Sequence, residues 1–147
     1  MEIGVVIFAV IFVATLMFFI MRGLFESSQI EQIITRYPAP AGIIPQFSNF
    51  QSGMINGLCF NGTLAISITE DRLYLKTTLP MPKRGPAAIP LRDLIITDKR
   101  AHIHYTLVKI NGSDWFLGLG SGWIGKIQKF QQSLAPYGAQ RDADKPT

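Results

Sequence analysis

Cysteine and histidine are scarce in this chain, and their scarcity removes several kinds of chemistry at once. Cys59 is the sole cysteine, so a disulfide framework is excluded, and a free thiol fits a reducing compartment. The two histidines, His102 and His104, stand almost side by side and the carboxylates are scattered. No Ser/His/Asp set and no carboxylate pair can be defended on that distribution. The i, i+2 spacing of the histidines would send both rings to one face of a strand. Zinc asks for three or four ligands, and only Cys59, Asp98 and Asp114 are left to complete a set. The expectation is a protein that is no enzyme, with no catalytic residue, cofactor or metal. The alternative is a metal-binding protein or enzyme centred on His102 and His104.

A strong charge bias is also missing. The formal net charge is +4, and residues 23–135 hold 11 Lys or Arg against 7 Asp or Glu. Nucleic-acid binding would show as a dense basic stripe with aromatic platforms, so no nucleic-acid partner is expected. Mild basicity does suit a domain held beside an anionic leaflet.

The third absence is local. From Ile3 to Met21 no residue is charged and only Thr15 is polar. Nineteen such residues make a helix of about 28 Å, close to the ~30 Å hydrocarbon core of a bilayer. A cleaved signal peptide would carry a basic start, a shorter apolar run and a small-residue cleavage site; here Glu2 precedes the run and Phe18-Phe19-Ile20-Met21-Arg22 ends it. A buried core helix would keep a polar stripe. The run therefore reads as a single transmembrane anchor over residues 1–22. Arg22 and Arg36 lie after it and no Lys or Arg precedes it, which places the N-terminus outside and the rest in the cytoplasm, at the inner (cytoplasmic) membrane.

Beyond the anchor the chain is regularly patterned. "SSQIEQIITRY" predicts a short amphipathic helix, with Ser28 and Glu31 at capping-box spacing and Ile30, Ile33, Ile34 and Tyr37 on one face, which must pack on the domain or lie on the membrane; the polar face lacks the Lys and Arg of an interfacial helix, which favours the domain. Pro38 and Pro40 stop it, and a linker runs to residue 51. Residues 52–135 form the domain. Its period of two begins with Met54, Leu58 and Phe60, and Asn61-Gly62 predicts a type I′ hairpin. Leu64, Ile66 and Ile68 alternate with Ala65, Ser67 and Thr69; Glu70-Asp71 turns the chain into "RLYLKTTL". Pro80, Pro82 and Pro86 make a rigid loop carrying Lys83 and Arg84. Short strands around Ala87–Pro90 and Leu94–Thr97, a longer one over His102–Ile110, an Asn111-Gly112 turn and Trp115-Phe116-Leu117 complete about seven antiparallel strands. Trp123, Ile127, Phe130 and Leu134 then mark one face of a final helix capped by Ser121, and Pro136–Thr147 reads as a polar tail.

The glycines that open that helix, "LGSGWIGKI", satisfy G-x-G-x-x-G and most of G-x-x-x-x-G-K-[ST]. A dinucleotide fold needs them after the first strand of a βαβ unit, and here the helix is the last element. Ile127 stands where a phosphate loop needs Ser or Thr for magnesium. No nucleotide is expected; the glycines are read as letting the chain turn sharply and the helix sit close on the sheet.

Gly62-Thr63-Leu64-Ala65-Ile66-Ser67-Ile68-Thr69, Arg72-Leu73-Tyr74-Leu75 and Ile89-Pro90-Leu91-Arg92-Asp93-Leu94, with one helix after them and a membrane span before, resemble the small bacterial membrane-anchored proteins of the pleckstrin-homology-like (PH-like) superfold, its GRAM-like and bacterial PH-like groups. Arg72 and Leu91 depart from the Gly and Trp of that pattern. The resemblance covers roughly residues 28–135 and implies a mainly-β α+β domain, a barrel of about seven strands capped by a C-terminal helix. Phosphoinositide-binding members carry Lys or Arg around the first hairpin, and Phe60-Asn61-Gly62-Thr63 has none. The function expected is a non-catalytic docking module facing a protein partner or an anionic lipid surface, with Lys83, Arg84, Lys99 and Arg100 as the contact residues.

Overall fold

The computed structural model describes residues 2–42, 45–78 and 85–143. Its first element, α1, is one continuous helix over Glu2–Arg36, about 52 Å long at 1.5 Å per residue. The expected break between anchor and amphipathic helix is absent. Gly23 lies inside α1, and Ser28 caps no helix start; its Oγ accepts from Gln32 Nε2 at 3.3 Å. Continuity costs only one mid-helix glycine, about 1 kcal/mol, whereas a break would expose backbone groups at two new helix ends. The apolar run is long enough to span a bilayer and is not buried by the domain; Thr15 returns its hydroxyl to Ile11 O at 2.8 Å. Beyond Gly23 the helix changes surroundings, and Ile30 and Ile33 are fully buried in the domain core with Ile34 and Tyr37 packed beside them.

Seven strands come next in one antiparallel, curled sheet: β1 (Ser48–Ile55), β2 (Leu58–Ile68), β3 (Arg72–Thr77), β4 (Ala87–Pro90), β5 (Leu94–His102), β6 (Tyr105–Ile110) and β7 (Phe116–Leu119). Their order is β4-β3-β2-β1-β7-β6-β5, a half-barrel whose concave side holds Phe60, Leu64, Ile66, Leu73, Leu75, Ile89, Val108 and Leu117. This is the expected PH-like architecture: a long apolar helix, a seven-stranded antiparallel sheet and a C-terminal helix, α2 (Ser121–Ala143).

The first hairpin is not where Asn61-Gly62 suggested. The chain turns at Asn56-Gly57, whose φ values of 48° and 83° are those of a type I′ turn, with Ile55 opposite Leu58. Asn56 also ties the turn to β7: its N–H donates to Phe116 O, and its Oδ1 accepts from Phe116 N, both at 3.0 Å. Asn61-Gly62 lies inside β2, where Gly62 at φ 71° helps form a bulge near Phe50 at φ 56°, and Gly62 N donates to Ser52 Oγ at 2.9 Å. The long strand expected over His102–Ile110 is likewise split, β5 turning into β6 at Ile103-His104.

Two openings of the half-barrel are filled by helices. The last turns of α1 cross the one bounded by the β1–β2 turn, the β6–β7 turn and the start of β4. There Arg36 Nη2 reaches Gly112 O at 3.3 Å, Ala88 N donates to Tyr37 O at 2.7 Å, and Pro38 pairs with Ala87. The other is covered by α2, with Ile124 and Ile127 buried, and Gln131 Nε2 donating to Leu91 O and Leu94 O at 2.7 and 2.8 Å where β4 bends into β5. Trp123, Phe130 and Leu134, expected on one face with Ile127, are only partly buried and pack beside the buried residues. The helix starts one residue earlier in its bonding than a Ser121 cap implies, Gly120 O accepting from Trp123 N and Ile124 N, and its backbone continues past Pro136 to Ala143.

The convex side of β2–β4 is covered as well. Ala65, Tyr74 and Ala88, on these paired strands, are buried. Tyr37 O accepts from Ala88 N and Ala39 N donates to Pro86 O on the β4 side, and Lys76 Nζ of β3 lies 4.2 Å from the centre of the Phe47 ring.

Candidate functional site

Of the four basic residues expected to meet a partner, Lys83 and Arg84 lie outside the described residues. Lys99 and Arg100 are exposed on β5, five and six residues along the strand from Leu94. That is roughly 17–20 Å from the end of β5 next to the filled opening. The sequence could not show that β5 is an edge strand. Among the described residues its outer side has no strand beside it, while the opposite edge, β4, is paired at Ala87 and Ala88 with Pro38 and Tyr37. Along the free edge Ile95 is 48% exposed, and at its tip Ile103 is 70% exposed. Arg100 Nη1 donates to Ile103 O at 3.4 Å, so the guanidinium sits against the turn that presents this isoleucine. An edge strand offers unpaired N–H and C=O groups to another chain, and charged side chains such as Asp98, Lys99 and Arg100 keep it from pairing indiscriminately.

His102 and His104 do not share a strand face. His102 ends β5 and His104 lies in the turn, the rings 6.5 Å apart and tilted at 49°, with Tyr105 6.0 Å from His102. Among the described residues no group of three His, Cys, Asp or Glu side chains gathers there or elsewhere.

The glycine pattern has a different meaning from the one expected. Nothing lies within 4 Å of a Cβ added at Gly120, Gly122 or Gly125, so none of them admits a close approach. The close approach is at Gly118 in β7, where a Cβ would come within 3.0 Å of Met54 Cβ, 3.1 Å of Ala101 Cβ and 3.2 Å of Tyr105 Cβ. The three glycines of the pattern come after a strand paired antiparallel on both sides, outside any βαβ unit.

A junction that sequence reading missed lies where α1 meets β2. Glu26, 5% exposed, accepts from Arg22 Nε at 2.9 Å and from Thr63 Oγ1 at 3.1 Å, and Arg22 Nη2 reaches Cys59 O at 3.3 Å. The i, i+4 spacing of Arg22 and Glu26 was the one signal for it. These bonds splice α1 to the sheet one turn after the apolar run. Beside them, Phe18, Met21, Phe25 and Leu58 line an apolar cleft of about 490 Å³.

No protein-family model, curated protein or solved structure matches the chain.

Proposed function

We propose that this is a single-pass membrane protein of the PH-like kind whose domain, on the cytoplasmic side, docks a protein partner along the free edge of β5. The observation that carries this reading is the combination, on one strand and the turn that ends it, of an edge unpaired among the described residues, the exposed Ile95 and Ile103, and the cations Lys99 and Arg100. An extended segment added to such an edge gains main-chain hydrogen bonds, and side chains beside it set the specificity. Phosphoinositide binding in the manner of PH domains is disfavoured: the opening bordered by the first hairpin is occupied by Ile30 and Ile33 of the protein's own helix, and the Asn56-Gly57 hairpin carries no Lys or Arg beside its turn.

The test is a photoreactive residue placed at Ile103 in the full chain, irradiated in native membranes, with Gln128 on α2 as the control site. A discrete protein adduct is expected at position 103 alone, weakened when Lys99 and Arg100 are both changed to Glu. Adducts to lipid only, or none, would contradict the docking role.

A further inference from the structure

We propose that the cleft between α1 and β2 is a phospholipid site, taking one acyl chain of a bilayer lipid and holding that lipid's phosphate on Arg22. The inference rests on reading the apolar run of α1 as a membrane span; it does not depend on docking at the β5 edge. Phe18, Met21, Arg22 and Phe25 recur at i, i+3, i+4 and i+7, which is one face of the helix. That face meets β2, because Arg22 Nη2 donates to Cys59 O and Glu26, one turn on, accepts from Thr63 Oγ1. Toward the apolar run the two elements leave a cleft of about 490 Å³, walled on the sheet side by Leu58, Cys59 and Asn61. Its size is within the range of small-ligand sites.

The occupant follows from where the cleft lies. Phe18 and Met21 are in the last turn of the apolar run, so in a bilayer the cleft opens at the boundary between hydrocarbon and head groups. Phe25 lies beyond the charged Arg22 and is still 59% exposed, although its neighbour Glu26 is buried. A ring in that position gains from an apolar cover that the domain does not supply, and the apolar material at that depth is an acyl chain. The lip suits the other half of the lipid. Arg22 Nε is held on Glu26 and Nη2 on Cys59 O, which fixes the guanidinium plane, and Nη1 has no partner among the described residues. Asn61, exposed at the lip, adds a second donor, and no carboxylate is among the lining residues. Because Glu26 already balances the charge of Arg22, a phosphate gains there a directed hydrogen bond to Nη1 more than a net attraction.

The test is photolabelling of the full chain in phosphatidylcholine nanodiscs containing a small fraction of phosphatidylcholine with a diazirine on one acyl chain, the adducts being mapped by peptide mass spectrometry. Adducts within Ile3–Met21 check the span itself, and Gln128–Gln132 of α2, over the other opening, is the control segment. The expected result is adducts on residues 58–61 of β2 as well as on the span, and none on the control segment. Diacylglycerol bearing the same photoreactive chain has no phosphate, and it should label residues 58–61 at least about threefold less, relative to the span. Met21→Trp crowds the cleft from the helix side and should lower phosphatidylcholine labelling of residues 58–61 at least about fivefold, again relative to the span. The comparison of probes uses the wild-type chain, so it stands whether or not Met21→Trp folds. Adducts confined to the span, labelling of the control segment equal to that of residues 58–61, equal labelling by the two probes, or labelling unchanged in a folded Met21→Trp chain would overturn the phospholipid site and leave the span standing. Absence of adducts on the span would overturn both.

Discussion

At Gly118 and Gly125 the same residue type has opposite meanings. Gly118 is hemmed in by Met54, Ala101 and Tyr105, whereas Gly125 faces open space in the second turn of α2. Gly118→Val should therefore overpack the β1–β7 corner and cost about 1–3 kcal/mol. Gly125→Ala should stabilise by about 0.5–1 kcal/mol through helix propensity. Urea midpoints of the full chain in micelles, measured by tryptophan fluorescence, report both; equal effects would contradict the assignment. Gln131 supplies a second case. Its amide serves two carbonyls, those of Leu91 and Leu94, so Gln131→Met should cost about 1–3 kcal/mol, while Gln132→Met, on the exposed face of α2, should change stability by less than about 0.5 kcal/mol. None of this was legible in the sequence, because a glycine pattern records backbone freedom but not which neighbours surround it, and a glutamine among lysines on a helix reads as solvated until the corner it caps is known.

Elements were more legible than their joints. The apolar run, the period-two stretches, the Asn111-Gly112 turn and the final amphipathic helix all correspond to elements of the fold. The errors fell where two equivalent local signals competed. "INGLCFNGT" contains two Asn-Gly pairs, and the choice between them is made by tertiary contact, since only Asn56 is positioned to clamp Phe116. Ser28 has the spacing of a helix start, but the preceding residues are themselves helical, so no free N–H groups exist for it to satisfy. The consequence is that α1 belongs to two environments at once. Ile33→Ala, in the filled opening, should destabilise the domain by about 2–5 kcal/mol, whereas Phe19→Ala, 64% exposed on the apolar run, should leave the domain's midpoint unchanged. If Ile33→Ala has no effect on that midpoint, α1 is not part of the core.

On the scale of the whole molecule, an apolar helix that enters the domain it carries makes helix and sheet one unit, joined further by the Arg22–Glu26–Thr63 bonds. The sequence indicated an anchor and a β domain separately; their coupling required the register of α1 against the sheet, which pattern alone does not encode. The edge position of β5 was hidden for the same reason, since strand order is a property of pairing. Our proposed orientation predicts that a reporter fused after Thr147 is active only if it functions in the cytoplasm, and activity of a periplasm-dependent reporter there would reverse it. The most direct test of the central claim, that the proposed membrane anchor and the domain form one rigid unit through α1, is a spin-label distance measurement in nanodiscs. On a Cys59→Ser background, labels at Met17 and Gln128, one on the apolar run and one on α2, should give a single narrow distance distribution. A broad or two-peaked distribution would place a hinge between Gly23 and Ser28 and contradict that claim.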